Sequence, residues 1–188
     1  MSNIYKNVPK FESEKFLLRF VDKDDVEDLF AVYSDKNSLP FFNSDNCGGD
    51  NFYYPTKDKM EEAIDFWLKS YQTKWFVRWV IIDKISLKAI GTIELFNRTS
   101  EDKFNGMGVL RLDLKSEYEK EEVIKEILEL IVSPTYELFD CEEVITKVPN
   151  YAIERISAVS GIGFTKSDNF LVGTHDRYSY KDYWTIHK

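Results

Sequence analysis

Apolar positions first recur at strand spacing. Phe16-Leu17-Leu18-Arg19-Phe20-Val21 is a short, mostly apolar run that predicts a strand. Asp22 then stands as an N-cap before Val26, Leu29, Phe30 and Tyr33, whose spacing is that of one helical face. Residues 39–54 break the periodicity with Pro40 and Cys47-Gly48-Gly49, and predict a loop. After Thr56 the pattern Met60, Ala63, Ile64, Trp67, Leu68, Tyr71 predicts a second amphipathic helix.

Beyond Gln72 the period changes from 3.6 to 2. Residues 75–83 and 89–96 are rich in β-branched and aromatic side chains and flank the polar stretch 84–88, which predicts a hairpin. Residues 107–114 predict a third strand of this group. Val123, Ile127, Leu130 and Ile131 mark a helix over 116–132, opened by a capping box of Ser116 and Glu119. Residues 144–148 predict a strand. Residues 150–160 predict a helix, with Gly161 in the position after its end. Residues 178–186 predict a final strand, paired with one near Phe170. The order β-α-α-β-β-β-α-β-α-β-β implies one α/β (α+β) domain over 1–188. Its sheet is expected to be mixed, with helices on both faces.

Charge narrows the function. Twenty-five basic against 33 acidic residues leave a net charge of −8, which argues against a nucleic-acid or anionic-membrane surface. No apolar run is long enough to span a bilayer. Residues 1–15 are polar, which predicts no secretory signal and a cytoplasmic location. Cys47 and Cys141 read as reduced thiols, and two histidines, His175 and His187, are too few for most metal sites. Phosphate-loop, nucleophile-elbow and zinc-protease motifs are absent. Gly161-Ile162-Gly163 follows a helix and lacks the third glycine of a dinucleotide fingerprint. Five aromatics between Phe41 and Tyr54 predict core cover first, with a pocket wall or a partner contact as the alternatives.

Several strings resemble the GNAT superfamily of acetyltransferases, in the branch that acetylates ribosomal-protein N-termini and small amines. Phe16-Leu17-Leu18-Arg19-Phe20, with its acidic turn and helix, is similar to the family's opening. Ile90-Gly91-Thr92-Ile93-Glu94-Leu95 is similar to its central hairpin strand. Leu114-Lys115-Ser116-Glu117-Tyr118 resembles the turn into its cofactor helix, and Ser160-Gly161-Ile162-Gly163-Phe164 the close of the next helix. The likeness spans residues 14–187. It implies a splayed, mostly antiparallel sheet of about six or seven strands. It also implies acetyl transfer from acetyl-CoA to an amine, on a small molecule or a protein N-terminus, without metal, by a monomer or homodimer.

In that family the pantetheine lies in the gap between the strands that correspond here to 109–114 and 144–148. The diphosphate rests on the N-terminus of the helix between them. The resemblance therefore nominates Leu112, Asp113, Leu114, Lys120, Glu121, Glu122, Val123 and Asn150 as cofactor contacts. A base must take a proton from the amine and an acid must protonate the thiolate. Glu94 and Tyr151 are the candidates, with His175 and Asp176 in the loop before the last strand. This chain departs from the family pattern in several places. Lys120 and Glu122 stand where loop glycines are usual, Ile145 where a glutamate base is common, Ala152 for an asparagine and Arg155 for a serine. The alternative reading is a non-catalytic relative with lost or weakened CoA binding, acting as a binding module.

Overall fold

The structure, a computed structural model, describes residues 4–188. A small hairpin of β1 (Phe11–Glu12) and β2 (Phe16–Phe20) opens the chain. Asp22 and Asp25 form a reciprocal capping box over a 3₁₀ turn that runs into α1 (Val26–Tyr33). The Thr56 side chain accepts from the Lys59 N–H and starts α2 (Lys57–Gln72). Then come β3 (Val77–Asp83), β4 (Lys88–Asn97), β5 (Gly108–Leu114), α3 (Glu121–Leu138), β6 (Glu143–Lys147) and α4 (Ile153–Gly161). The chain ends with β7 (Thr165–Lys166), β8 (Leu171–Val172), β9 (Ser179–Tyr180) and β10 (Tyr183–His187).

Among the described residues eight strands make one sheet in the order β1-β2-β3-β4-β5-β6-β10-β7, one more than the upper expectation, because two-residue strands extend both edges. All its pairs are antiparallel except β5–β6, which α3 joins by a crossover. β8 and β9 form a separate two-stranded ribbon.

Alternation along the strands builds the two larger of three cores found among the described residues. Val77, Trp79, Ile81, Ile93, Leu95, Leu110, Leu112 and Leu114 face α3 and α4. Val80 and Ala89 face α1 and α2, with Leu29, Tyr33, Met60, Ile64 and Trp67. A bulge between Ile81 and Ile82 places Ile90 opposite no residue of β3. Consequently Ala89 faces α1 and α2, whereas Ile90 joins the core under α3. At Gly91 the sheet closes tightly: a Cβ there would sit 2.1 Å from the Asp113 carbonyl oxygen. Glycine is therefore required by proximity.

Three local expectations are corrected. The helix expected over 116–132 begins at Glu121, after a 3₁₀ turn, and continues through Pro134 to Leu138. Its capping box does not form, because tertiary partners claim both side chains. Ser116 Oγ donates to Asp35 Oδ2 at 2.6 Å, and Glu119 pairs with Arg155. The inward face centres on Ile124, Ile127, Leu128 and Ile131, with Val123 and Leu130 only partly buried beside it. Gly161 ends α4 from inside the helix, and Gly163 (φ 101°) takes the left-handed position. The Phe164 N–H reaches Val159 O and the Gly163 N–H reaches Ser160 O, a Schellman closure. Finally, the last strand is broken at Asp182 (φ 67°), so that β9 pairs with β8 while β10 pairs with β6 and β7.

Candidate functional site

β5 and β6 pair only at Gly108–Val144, Val109–Ile145 and Leu110–Thr146. Beyond that point the two strands part, and residues 111–114 continue paired to β4 alone. This parting is the splay that the family resemblance implies, at the position it implies.

Side chains from the segments that follow β5 and β6 bond to one another. Arg155, on the first turns of α4, makes a two-pronged bond to Glu119, Nε–Oε2 2.8 Å and Nη2–Oε1 2.5 Å. Their side chains are 4% and 6% exposed. Phe41 lies against the Arg155 guanidinium (5.8 Å to the ring centre) and against the Tyr151 ring (6.1 Å). The Tyr151 hydroxyl donates to the Pro40 carbonyl, which ties α4's entry to the 39–41 turn. Glu154 Oε2 accepts from the Glu121 N–H at 2.8 Å. The first amide of α3 thus already holds a carboxylate, in the place where a helix N-terminus attracts anions.

On the opposite face of the sheet, charged residues alternate with the apolar ones. Arg78 of β3, Thr92 and Glu94 of β4, and Arg111 and Asp113 of β5 share one patch, all buried under α1, α2 and the 43–54 loop. Arg78 bonds Glu94, Thr92, Asp113 and the Tyr33 hydroxyl, and its guanidinium lies 4.1 Å from the Trp67 ring centre. Arg111 bonds Glu94 at 2.7 Å and the Asp45 carbonyl at 2.8 Å. Asp45 is held in turn by Lys147 (2.6 Å) and the Tyr183 hydroxyl (3.1 Å), so β5, β6 and β10 all pin the loop. Burial by itself would raise the Glu94 carboxyl, but Arg78 and Arg111 outweigh it and hold it below the usual range. Burial does raise Asp113, against the pull of Arg78 and Tyr33.

Above this patch opens a cavity of about 780 Å³. Its walls are aromatic (Phe52, Trp67, Trp75, Phe76, Phe96) and its floor includes Arg78, Glu94, Arg98 and Arg111. Cys47 lines it too, with burial pushing its thiol up to about 11, so it is no ready nucleophile.

The two candidate acid–base groups lie apart. Glu94 is locked on the pocket floor between two arginines, whereas Tyr151 lies at the strand gap with its hydroxyl on Pro40. Leu112 and Leu114 point into the core under α3, and Asp113 points the other way, to Tyr33. Lys120 is the N-cap of α3 without a side-chain cap bond, Glu121 donates its amide to Glu154, Glu122 is exposed and Val123 is half-buried. Asn150 is engaged away from the gap, donating to Asp182 and accepting from Lys166. His175 lines the pocket rim, while Asp176 accepts from Tyr180. The aromatic loop combines core cover with a pocket wall: Phe42, Phe52 and Tyr54 are buried in the α1–α2 core, and Phe52 and Tyr54 also line the pocket. Sequence reasoning missed Arg78 and Arg111, since charged residues alternating in a strand read as a solvent face, and Arg98, which stands just past the end of β4 among polar residues.

No protein-family model matches the chain, and no curated protein matches it in sequence. Solved structures do match in shape. The ribosomal-protein-S5-alanine acetyltransferase from Vibrio fischeri superposes with a TM-score of 0.69 at 15% identity, covering 96% of each chain. A GNAT-family acetyltransferase from Bacillus anthracis gives 0.67 at 12%, over 95% of this chain and 98% of that one. A GCN5-related N-acetyltransferase from Brucella melitensis gives 0.68 at 15%, over 95% and 78%.

Proposed function

Starting from a GNAT fold, we propose that this chain is a non-catalytic member whose acyl-CoA track is filled by its own side chains. Its work is to bind a small molecule in the aromatic pocket over β3–β5. The observation that carries this reading is the buried Arg155–Glu119 pair. Arg155 stands where the family commonly has serine, and its side chain reaches the turn before α3, on the way to the diphosphate position. Entry of a pantetheine arm would have to expel it. Separating a buried pair leaves uncompensated charge, at a cost of about 3–5 kcal/mol. The diphosphate would also compete with Glu154 for the first amide of α3 and face Glu121 and Glu122. Among the described residues no helix is long and apolar enough to cross a membrane. A cytoplasmic location and a monomeric or homodimeric state complete the proposal.

A second reading is acyl-CoA-dependent N-acetylation of an amine, and the parting of β5 from β6 favours it. In that case Leu112, Asp113 and Leu114 offer the free strand edge to the pantetheine. The amides from Lys120 to Val123 would take the diphosphate once Glu154 withdraws, Asn150 would turn from Asp182, and Tyr151 would serve as the acid. Glu94 is a poor base here, because both its oxygens are spent on arginines.

Thermal unfolding with acetyl-CoA separates the two. A ligand at 100 times its dissociation constant adds about 2.7 kcal/mol. The proposal predicts no shift in Tm at millimolar acetyl-CoA, and a clear rise would favour the enzyme.

A further inference from the structure

The loop that walls the pocket is anchored at both ends and slack between them. At one end Asp45 is gripped by Lys147, by the Tyr183 hydroxyl and, through its carbonyl, by Arg111. At the other, Asp50 accepts from the Phe52 N–H and the Tyr54 hydroxyl, and the Tyr54 N–H reaches the Tyr33 carbonyl. Three of the four residues between, Asn46, Cys47 and Gly48, line the pocket. The backbone is left-handed at Asn46 (φ 60°), Gly48 (φ 66°) and Gly49 (φ 91°). A Cβ on either glycine would meet nothing within 4 Å, so no neighbour holds this stretch in place. Cys47 bonds only within the loop, to Ser44, Asp45 and Asp50.

One residue joins the slack stretch to the rest of the molecule. Asn46 Oδ1 accepts from the His175 N–H at 2.9 Å, its Nδ2 donates to the Thr174 hydroxyl at 3.1 Å, and its backbone N–H meets the Tyr180 hydroxyl. Thr174 and His175 line the same pocket. The turn that presents them comes this close only because residue 173 is glycine. A Cβ there would stand 3.0 Å from Asn46 Oδ1 and 2.0 Å from Asp176 Oδ1. The anchors and the clasp differ in kind. The bonds on Asp45 are charge-assisted or buried, whereas the two bonds of the Asn46 side chain are neutral and exposed, so water replaces them at little net cost.

We propose that residues 46–49 form a strap on the rim of the pocket, clasped shut by the Asn46 side chain on Thr174 and His175, and that release of this clasp admits the ligand. The inference rests on the reading that the chain works through this pocket. With Asp45 and Asp50 fixed and two glycines between them, the backbone has residues that absorb the change in φ and ψ. The Arg78–Glu94–Arg111 floor stays in place as the strap swings.

Cys47 reports on the strap directly, because burial holds its thiol up at about 11 while the strap is closed, and so protonated and slow to react. Cys141, buried in the core under α3, reports general unfolding in the same sample. Labelling of the intact protein with N-ethylmaleimide, followed at each cysteine by peptide mass spectrometry, gives both rates at once. Asn46→Gly keeps the left-handed backbone and deletes both side-chain bonds. It should speed labelling of Cys47 about tenfold and leave Cys141 unchanged. Thr174→Val leaves the strap itself untouched and removes one bond, and should speed Cys47 about threefold. An unchanged Cys47 rate in either variant would overturn the proposal. So would a rise at Cys141 in step with Cys47, since the thiol would then be reached only by general unfolding. Neither result involves a ligand, so the strap can fail while the pocket keeps its role, and low-micromolar acetyl-CoA binding would remove that role separately.

Discussion

Arg155 reaches back across 36 positions to grip Glu119 with two bonds, Nε–Oε2 and Nη2–Oε1, both side chains withdrawn from water. One residue opens α4 and the other ends the turn before α3, so the pair clamps the two helices that flank the strand gap. The clamp predicts a strongly non-additive response. Arg155→Met should cost about 3–5 kcal/mol, because Glu119 is left buried and alone. The double variant Arg155→Met, Glu119→Gln should cost clearly less than the sum of its singles. Urea denaturation of the four proteins measures this, and additive losses would mean that the two side chains do not depend on one another.

A second prediction concerns Gly91. The Asp113 carbonyl oxygen lies 2.1 Å from where a Cβ would stand, and it is backbone that cannot swing aside. Gly91→Ala should therefore destabilise by about 1–3 kcal/mol or more, as overpacking does. An unchanged urea midpoint would show that β4 and β5 are not so close.

A third concerns α3. Ile127 is fully buried in the larger core. Ile127→Ala should cost about 2–5 kcal/mol. The exposed neighbour Glu129→Ala should cost less than about 0.5 kcal/mol. Equal losses at the two positions would put the helix in the wrong register.

What could be read from the sequence was whatever local periodicity encodes. The helical spacing of Met60, Ala63, Ile64 and Trp67 and the hairpin around 84–88 appear in the structure as expected. What could not be read depends on partners far away in the chain. Ser116 and Glu119 spell a capping box, yet Asp35 and Arg155 hold them, from 81 and 36 positions off. Arg155 was visible only as a departure from the family pattern, and its target could not be named. Arg78, Glu94 and Arg111 look like a wet face of three strands. Only the packing of α1, α2 and the 43–54 loop over them turns that face into the floor of a pocket.

Acid should unfold the protein by a route these residues define. Burial alone would raise Glu94, Asp35 and Asp102. The Arg78 and Arg111 pairs, the Ser116 hydroxyl and the Arg98 pair outweigh it and lower all three. A carboxylate with a lowered folded value stabilises fully above its unfolded value, about 4.3 for Glu and 3.9 for Asp. That contribution is lost as the pH falls through this range toward the folded values. Asp113 has the opposite sign: its folded value is raised, so its contribution fades as the pH rises past the unfolded value. Asp83 and Asp176 are lowered too, so five groups against one predict a net fall in Tm on acidification below about pH 4.5. Glu94→Gln should flatten the fall, and a slope identical to the natural protein would remove Glu94 from the account.

The central claim is that acetyl-CoA is kept out by Arg155, Glu119 and Glu154, and direct calorimetric titration of acetyl-CoA tests it. The natural protein should give no binding heat at about 100 μM ligand, which corresponds to a Kd weaker than about 1 mM, or less than about 4.1 kcal/mol of binding. The variant Glu119→Gln, Glu154→Gln, Arg155→Ser removes the clamp and the competing carboxylate together, and should bind measurably if it stays folded by circular dichroism. Low-micromolar binding by the natural protein would contradict the account outright.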